Sequence, residues 1–519
     1  MDSNNKSLSN FDDIFDKTTH YGKYQLYMLV LIQYAMITSA GNYIFISFAS
    51  LKPTCEDKTF HELNLQNPCY LIKNCPTNQT KYFFFSLYQE DNFICPNNFN
   101  APYQLQTLQA IGSGTGAIVG GLLADKYGRK WITYIGSVVM ITSGLIGSFS
   151  PSLNILAIGM FGMGISYGML IDASMTLASE TVGPKYRLIQ MLAFQWSLAL
   201  QISSIIAYLT GEWRKYLLII NSIGIPLFFL LLFWEESPRW LIQRRRYKES
   251  CKSINKINKW NNCKIQFKVD DLIEIKTQSE EDKSKTFFIH HLISNIKLAK
   301  YTLVLFLSAL TVELCISVFI FDVQVLDGNP FINIGLYGLL RLWVPIFIIV
   351  LEKTSFFGRR SLFLGSQTFS IICYSVVFFL TYFTMSKFII SLPTIKTTFA
   401  LLGGIINSSI FFTIYKQYTM ELYPTLLRAI AVGTFGLVER IGGGLGPQLI
   451  ILNNIIGKGS AIGITIIIMI LSLITGYLFL PETKNKNMID FCETEKDTFS
   501  ISSDTLLSSK EGNEIKEDS

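Results

Sequence analysis

Residues 121–130 read GLLADKYGRK and lie between two apolar stretches of the chain. A glycine-rich stretch, 112–124, leads into them, and a second apolar stretch, 131–149, follows. A short basic turn between two segments long enough to cross a bilayer is typical of a cytoplasmic loop in a membrane protein. A weaker copy of the turn, FGRR at 357–360, lies in the second part of the chain. The two copies divide the chain into halves.

The composition is that of a membrane protein. Half of the 519 residues are apolar and 16% are charged, and the mean hydropathy is positive, whereas average proteins carry about 25% charged residues. The four histidines lie outside the apolar runs, and the sequence contains no phosphate-binding loop and no cluster of metal ligands. We therefore expect a protein that is not an enzyme, needs no cofactor or metal, and binds no nucleic acid.

Twelve continuous apolar runs are long enough to span a bilayer. Continuous runs exclude a transmembrane β-barrel, whose strands alternate apolar and polar residues. The sequence therefore predicts an all-α membrane protein with twelve transmembrane helices, arranged as two six-helix pseudo-repeats. The runs lie near 24–50, 104–124, 131–149, 153–177, 188–210, 216–234, 301–322, 331–351, 361–383, 397–418, 429–452 and 460–480.

Basic residues predict the orientation, because short cytoplasmic loops are enriched in Lys and Arg. The turn at 121–130 is basic, and the segment after the sixth run opens with RRRYK at 244–248. Both are therefore expected in the cytoplasm, together with both termini. The predicted units are an N-terminus at 1–23, a six-helix bundle at 24–234, a cytoplasmic linker at 235–300 that is open to cytosolic partners, a second bundle at 301–480 and a tail at 481–519.

The first external loop, 51–101, is long and rich in cysteine. It carries four of the nine cysteines, Cys55, Cys69, Cys75 and Cys95. Four cysteines in one extracellular segment predict two disulfides and leave their pairing open, and four free thiols are the alternative. The sequon at 78–80 predicts a glycan on Asn78.

Charged motifs recur in the same order in each half. The fourth run leads into ETVGPKYR at 180–187, and the tenth leads into ELYPTLLR at 421–428. The sixth is followed by ESPRWL at 236–241, and the twelfth by PETK at 481–484. Such a parallel repeat is expected of a six-plus-six transporter.

We predict that these charged residues form a conformational gate on the cytoplasmic side. Each ion pair at a hydrated helix end contributes only ~0–1 kcal/mol, which suits contacts that break in every cycle. The alternative is that they only anchor helix ends and set the orientation. The predicted gate residues are Asp125, Arg129, Glu180, Arg187, Glu236, Arg239, Arg359, Glu421, Arg428 and Glu482.

GLLADKYGRK, ESPRWL, ELYPTLLR, LPETK and the cysteine-bearing loop together resemble the organic cation, anion and carnitine transporters of the major facilitator superfamily. The resemblance covers nearly all of residues 20–490. The cysteine-bearing loop best distinguishes this family from sugar transporters, because ESPRW and PETK also occur in sugar transporters. The chain departs from the family in two places: the second turn has no acid matching Asp125, and the seventh run reads CISVF at 315–319 instead of the usual aromatic-glycine stretch.

The resemblance implies the major facilitator fold and an alternating-access carrier for small organic ions in the plasma membrane. Asn42, Gln195, Phe412 and Tyr415 match positions that line the cavity in that family, and packing or lipid contact is the alternative for the two aromatic residues. Three other functions stay open: an organic cation transporter, a sugar or polyol carrier of the same fold, and a receptor or scaffold that transports nothing.

Ionisable side chains inside the runs are further candidates, because each costs about 2.5–3.5 kcal/mol to bury at the bilayer centre. Glu313, Arg341 and Arg440 fall near mid-depth and are predicted to bind substrate. Lys416 lies nearer a helix end, where a lysine also snorkels to water. The full set is Asp172, Glu313, Arg341, Lys416, Glu439 and Arg440.

Arg440 decides the predicted substrate charge, because a guanidinium inside the membrane stays protonated and needs an acidic partner or ligand. Glu439 points about 100° away around the helix, and we interpret it as the partner of Arg341. In the resembling family, an Arg at this position is typical of the anion and carnitine branches. We therefore predict carboxylate-bearing anions or zwitterions as substrates. Two alternatives are that Glu313 neutralises Arg440, and that Glu313, Arg341 and Glu439 neutralise one another.

Overall fold

The structure is a computed structural model of the chain. Arg187, Gln195 and Asn78 and the side chain of Cys55 lie outside the part of the chain that it describes. The described residues are 21–55, 69, 75, 80–90, 93–95, 98–182, 196–270, 272–273, 289–321, 326, 328–353, 358–383, 392–423, 425–457 and 459–483.

The first half consists of long helices and one small hairpin. In the hairpin, Thr54 pairs with Lys81 in antiparallel register. The elements are α1 (Lys23–Tyr43), α2 (Phe45–Ala49), β1 (Thr54–Cys55), β2 (Thr80–Lys81), α3 (Ala101–Tyr127), α4 (Arg129–Ser148), α5 (Leu153–Glu180), α6 (Trp196–Thr210) and α7 (Trp213–Leu230), which a 3-10 turn extends over Leu231–Phe233.

Two short helices and the second half follow. A 3-10 turn at Ile289–Ile293 precedes α10, and a π-helical turn at Asn407–Phe411 joins α13 to α14. The elements are α8 (Pro238–Gln243), α9 (Tyr247–Trp260), α10 (Ile296–Phe321), α11 (Pro330–Lys353), α12 (Arg359–Phe383), α13 (Leu392–Ile406), α14 (Phe412–Glu421), α15 (Thr425–Ile455) and α16 (Ser460–Phe479).

The predicted helical membrane fold is confirmed. Within the described ranges, nine helical segments are long and apolar enough to cross a membrane, and α6 and Pro330–Val344 form shorter apolar helices. Helix α15 occupies the eleventh predicted run with 31 residues. Among the described residues, a helix covers part or all of each of the twelve predicted apolar runs, and in the fifth run the described helix begins at Trp196. This is expected where every backbone amide and carbonyl must be satisfied within the lipid.

The basic turn between α3 and α4 is shorter than the sequence suggests. Helix α3 continues through Tyr127, so the turn is the single residue Gly128 with a φ of +109°. Only glycine adopts this backbone conformation without strain. We call the end of the bundle that carries Gly128 and Gly358 the basic face, and the opposite end, which carries residues 80–90, the loop face.

Small residues bring α3 and α5 into close contact. A Cβ atom on Gly112 would lie 2.5 Å from the Phe161 carbonyl oxygen, and one on Gly164 would collide with the Gln109 carbonyl. Glycine therefore allows the two backbones to touch, as is common between membrane helices. Gly116 and Gly120 on α3 approach α5 in the same way, at Ile165 and Met169.

The two halves contact each other from the bundle centre to the loop face. Thr107 on α3 donates a hydrogen bond to the Gly444 carbonyl on α15 (3.0 Å), and Gln448 donates to Thr107 (2.7 Å). Ser204 on α6 donates to the Phe331 carbonyl at the start of α11 (2.6 Å). Near the loop face, the halves are therefore closed against each other.

Candidate functional site

The long loop that the sequence predicts to be external is attached to the first half. Cys69 and Cys95 form a disulfide, and Cys75 is disulfide-bonded as well. Phe85 donates its amide to the Gly211 carbonyl (2.8 Å) and accepts from the Trp213 amide (3.2 Å), which joins the loop to the turn between α6 and α7.

A partly buried ion pair reinforces this attachment. Arg214 contacts the Glu90 carboxylate through two nitrogens, at 2.5 and 3.2 Å, and also donates to the carbonyls of Ser148 and Ser150. Trp213 donates its indole N–H to the same carboxylate (2.9 Å). The described part of the loop is therefore held against the first half of the molecule.

Phe331 closes the loop face between the halves. Its ring stacks on Phe48 with 5.5 Å between centroids and contacts Phe84 of the long loop at 6.1 Å. Phe48, Phe84 and Phe331 are all buried. An aromatic residue of the second half thus fills a pocket that the first half and its loop form together. Sequence reasoning missed this contact, because a phenylalanine at a helix end is common in an apolar chain.

Charged residues from both halves meet in the interior of the bundle. Arg440 Nη2 on α15 lies 2.7 Å from Asp172 Oδ2 on α5, and this ion pair crosses from one half to the other. The Arg440 side chain is 17% exposed and that of Asp172 is 43% exposed, so water reaches the acid more easily than the base. Arg440 therefore has an acidic partner, and that partner is neither Glu439 nor Glu313.

The proposed pairing of Glu439 with Arg341 is wrong. Glu439 Oε1 lies 2.6 Å from Lys416 Nζ and accepts a hydrogen bond from the Tyr415 hydroxyl (2.8 Å). Helix α14 supplies both partners because it packs against the side of α15 that carries Glu439. Lys416 is thus an ion-pair partner here, and Tyr415 is a buried packing residue with its hydroxyl satisfied.

Glu313 has a different environment from the other two acids. It is half-buried on α10, and Tyr43 on α1 donates its hydroxyl to Glu313 Oε1 at 3.2 Å. Gly443 on α15 permits this approach, since a Cβ there would lie 2.9 Å from the Tyr43 hydroxyl. Arg341 on α11 is half-buried within electrostatic range of Glu313 but forms no ion pair with it in the described structure.

Three aromatic side chains border this charged region. Tyr43 lies 5.6 Å from Tyr167 and 5.3 Å from Trp196, and Tyr167 lies 5.9 Å from Trp196, measured between ring centroids. They come from α1, α5 and α6, so their proximity depends on tertiary packing. Sequence reasoning missed Tyr167 and Trp196. Aromatic faces of this kind attract cations and apolar groups.

Not every family-implied residue reaches the charged region. The Asn42 and Asn221 side-chain amides hydrogen-bond each other at 2.9 and 3.0 Å, and Asn42 is 2% exposed. This pairing holds α1 against α7 and leaves little of Asn42 for a ligand. Phe412 is half-buried, with its ring centroid 5.4 Å from Lys416 Nζ. Gln195 lies outside the described residues, and its role stays a prediction.

The charged helix ends of the first half form one compact cluster at the basic face. Arg129 Nε lies 2.9 Å from Glu180 Oε2, and Arg129 Nη2 lies 3.6 Å from Asp125 Oδ1. Glu236 instead accepts hydrogen bonds from the backbone amides of Arg129 (3.0 Å) and Lys130 (3.2 Å). The carboxylate of Glu236 thus caps the N-terminus of α4, where unpaired amides and the helix dipole favour an anion.

The second half repeats the arrangement. Arg359 forms an ion pair with Glu421, and Glu482 accepts from the backbone amides of Arg359 (2.9 Å) and Arg360 (3.1 Å) at the N-terminus of α12. A Cβ on Gly358 would collide with the Glu482 carboxylate, as one on Gly128 would collide with Glu236. Glycine is therefore required at both turns for the acid to reach the helix end.

These contacts change the interpretation of four gate residues. Glu236 and Glu482 were expected to pair with arginine side chains, and both carboxylates accept hydrogen bonds from main-chain amides. Arg239 lies within electrostatic range of Glu180, whereas Nε and Nη2 of Arg428 are buried without a hydrogen-bond partner in the described structure. Arg187 lies outside the described residues, so its pairing stays a prediction.

A family model described as sugar (and other) transporter matches residues 99–493. The chain belongs to this family. The fold is that of the major facilitator superfamily: the inward-open xylose transporter XylE from E. coli has a TM-score of 0.62 with 16% identity, over 89% of this chain and 98% of that one. The peptide transporter POT has a TM-score of 0.60 with 12% identity, over 90% and 99%.

Curated relatives of this family member bear out the resemblance to organic ion transporters. Solute carrier family 22 member 13 from Homo sapiens is 26% identical, with 84% of this chain and 75% of the relative covered. Organic cation transporter-like protein from Drosophila melanogaster is 26% identical, with 77% and 71% covered. Both names describe carriers, and the chain is accordingly a multi-pass membrane transporter of this type.

Proposed function

We propose that the protein is a plasma-membrane carrier that moves small carboxylate-bearing ions, anions or zwitterions, by alternating access. The observation that supports this most is the Arg440–Asp172 ion pair across the two halves. A guanidinium binds a carboxylate through two parallel hydrogen bonds. A substrate carboxylate therefore takes the place of Asp172 on Arg440, and substrate binding breaks a contact between the halves.

A zwitterion uses both ends of the broken pair. Its carboxylate binds Arg440, and the released Asp172 carboxylate is then available to its cationic group. Asp172 is the more exposed partner, so it rotates away at lower cost. The Tyr43, Tyr167 and Trp196 rings next to this region offer aromatic faces to the same cation. An anion without a cationic group leaves Asp172 unpaired and binds more weakly.

The contacts between the halves favour a carrier that is open to the cytoplasm. Phe331 and Ser204 close the loop face, and the Tyr43–Glu313 hydrogen bond joins the halves in the interior of the bundle. The ion pairs of Arg129 and Arg359 at the basic face each stay within one half. With the basic face in the cytoplasm, as the lysine and arginine pattern predicts, the closed end faces outward.

Uptake by cells or vesicles containing the full chain tests this function. The panel contains labelled hippurate as an anion, carnitine as a zwitterion, tetraethylammonium as a cation and glucose as a neutral sugar. We expect saturable uptake of hippurate and carnitine only. Arg440→Lys should impair that uptake because an ammonium cannot reproduce the planar fork of a guanidinium, and Arg440→Asp should abolish it.

Arg246→Lys is the matched control, because Arg246 is an exposed residue of the linker that pairs with Glu249. Its uptake should equal that of the wild type at the same surface level. Uptake of tetraethylammonium alone, or of glucose alone, would replace the proposal by a cation or sugar carrier. Binding without uptake of any of the four would indicate a receptor or scaffold.

A further inference from the structure

Four lysines lie on the basic face where the first half meets the linker. Lys23 begins α1, Lys130 lies in the first turn of α4, and Lys256 and Lys259 lie in the last two turns of α9. Lys23, Lys256 and Lys259 are exposed, and Lys130 is half-buried. We call these four residues the lysine site. The transport of a carboxylate on Arg440 involves none of them.

Contacts between the linker and the bundle bring three of these lysines together. Lys256 on α9 forms an ion pair with Glu235, which follows α7. Lys130 on α4 lies within electrostatic range of both residues and donates to the Leu232 carbonyl at 3.3 Å. Lys259 is a neighbour of Lys256 on the surface of α9, because residues three apart lie on the same face of a helix.

The end of α9 also holds the start of α1, which brings in the fourth lysine. Asn261 follows α9 directly, and its side chain accepts a hydrogen bond from the Tyr24 amide and donates one to Gln25, both at 2.9 Å. Lys23 precedes Tyr24 in the chain, so it lies close to the end of α9 that carries Lys259.

The nearby acids do not neutralise the lysine site. Glu235 is engaged by Lys256. Glu236 lies within electrostatic range of Lys130, but its carboxylate binds the amides at the start of α4. In the described part of the chain, Lys23 and Lys259 form no ion pair. The site therefore carries a net positive charge and suits an anion.

Apolar and aromatic side chains adjoin the lysine site on its membrane side. Helices α1 and α7 are long and apolar enough to span the bilayer, and the site lies at their ends. Leu26, Leu232 and Phe233 at these ends are 54%, 50% and 57% exposed. Trp260 packs on Tyr27 with 5.4 Å between ring centroids. Tryptophan and tyrosine are enriched at the level of the lipid headgroups, so the site lies at the membrane surface.

We propose that the lysine site binds the anionic headgroup of a phospholipid such as phosphatidylserine. The lysine ammonium groups donate hydrogen bonds to the phosphate and carboxylate oxygens, and the acyl chains contact the exposed apolar side chains below. Cations beside exposed apolar residues fit a lipid better than a free phosphate. The lipid comes from the cytoplasmic leaflet, which is rich in anionic lipids and which the basic face is predicted to meet. Since the lysines belong to α1, α4 and α9, the bound lipid joins the linker to the first half.

The melting temperature of the purified full-length chain in lipid nanodiscs tests this site. One preparation contains phosphatidylcholine alone, and the other contains about 20% phosphatidylserine as the anionic lipid. A ligand that binds only the folded state stabilises it by mass action, so we expect a rise of several degrees with phosphatidylserine. Raising the salt concentration from about 0.1 M to about 1 M should remove most of this rise, because it shortens the screening length from about 10 Å to about 3 Å.

Substitutions locate the effect. Lys259→Gln removes an exposed charge without breaking an ion pair and should lose at least half of the rise, and adding Lys23→Gln should remove nearly all of it. Lys248→Gln is the matched control, since Lys248 is exposed on the same face of α9 but about 16 Å further along the helix. It should keep the full rise. Each variant is compared with itself in phosphatidylcholine, so its own change in stability cancels.

Three results would overturn the lipid site. The first is an equal melting temperature in both kinds of nanodisc. The second is an equal loss in Lys248→Gln and Lys259→Gln, which would show a diffuse attraction of the basic linker to the membrane. The third is an equal rise when O-phosphoserine, the headgroup without acyl chains, is added to phosphatidylcholine nanodiscs, which would assign the lysines to soluble phosphates. None of these results depends on transport, so the proposed function is tested separately.

Discussion

Arg440 on α15 and Asp172 on α5 form an ion pair at 2.7 Å that joins the second half of the molecule to the first. In the proposed function a substrate carboxylate competes with Asp172 for the guanidinium, so we expect both residues to set the affinity for anions.

Asp172→Asn should therefore strengthen the binding of a plain anion. The substitution leaves Arg440 without its internal partner, so we expect a KM for hippurate that is several times lower than in the wild type. Carnitine should lose affinity in the same variant, because its cationic group loses the acid. Kinetics of both compounds at matched surface expression check this. A parallel change for the two compounds would contradict the role of Asp172 as a competitor and a cation partner.

The repeat of the charged helix ends predicts equal effects in the two halves. Arg129→Ala leaves Glu180 without its partner, and Arg359→Ala leaves Glu421 without its partner. These acids are 19% and 12% exposed, so each substitution should slow transport strongly by altering the balance of inward and outward states. Transport rates per surface molecule are the measurement. Lys215→Ala, which disrupts an exposed pair with Glu212, is the control and should stay near wild type.

Normal transport in both arginine variants would show that the two charged clusters only anchor helix ends and set the orientation in the membrane. A defect in one half alone would show that the repeat is structural without being functionally equivalent.

The ring contacts of Phe331 should stabilise the closed state of the loop face. Each aromatic pair that its ring forms contributes about 0.5–1.5 kcal/mol beyond area burial, so Phe331→Ala should increase the outward-open population roughly 2- to 10-fold for each ring pair removed. Labelling of Ser204→Cys by a membrane-impermeant maleimide should be faster in this background. Phe229→Ala, at an exposed position of α7, should leave the labelling rate unchanged. An equal rate in the Phe331 variant would show that other interactions close this face.

The sequence predicted the helical runs well because membrane helices need long continuous apolar segments. It placed the basic turn correctly but made it too long, since the apolar pattern ends before the last turn of α3, Asp125–Tyr127. The pairing of Arg129 with Glu180 agrees with the proposed gate geometry. Its role in gating stays a prediction.

The side-chain pairings inside the bundle were harder to predict from the sequence. Asp172 and Arg440 were both selected as rare intramembrane charges, but their distance depends on how α5 and α15 meet, which helical periodicity does not reveal. Periodicity did indicate that Glu439 points away from Arg440. It did not indicate that α14, rather than α11, faces Glu439. The Tyr43–Glu313 contact was missed for the same reason, as tyrosine is common in such helices.

The glycosylation sequon predicts the orientation of the long loop independently of any charge argument. Asn78 should carry a glycan on the surface form, and Asn78→Gln should migrate at lower mass. Glycosidase treatment should shift the wild type to the position of the variant. An unchanged mobility of the wild type would mean that the sequon is unused or that the loop does not face the exterior.

The hydrogen bonds from main-chain amides to Glu236 and Glu482 have a consequence for genetics. Every amino acid except proline brings the same amide to the start of α4 or α12, so replacing Arg129 or Arg359 leaves these two hydrogen bonds intact. The contacts depend on the acid and on the glycine that lets it approach, Gly128 or Gly358. A mutational scan should show sensitivity at both acids and both glycines, and no second-site change of the arginine side chains should restore a missing acid.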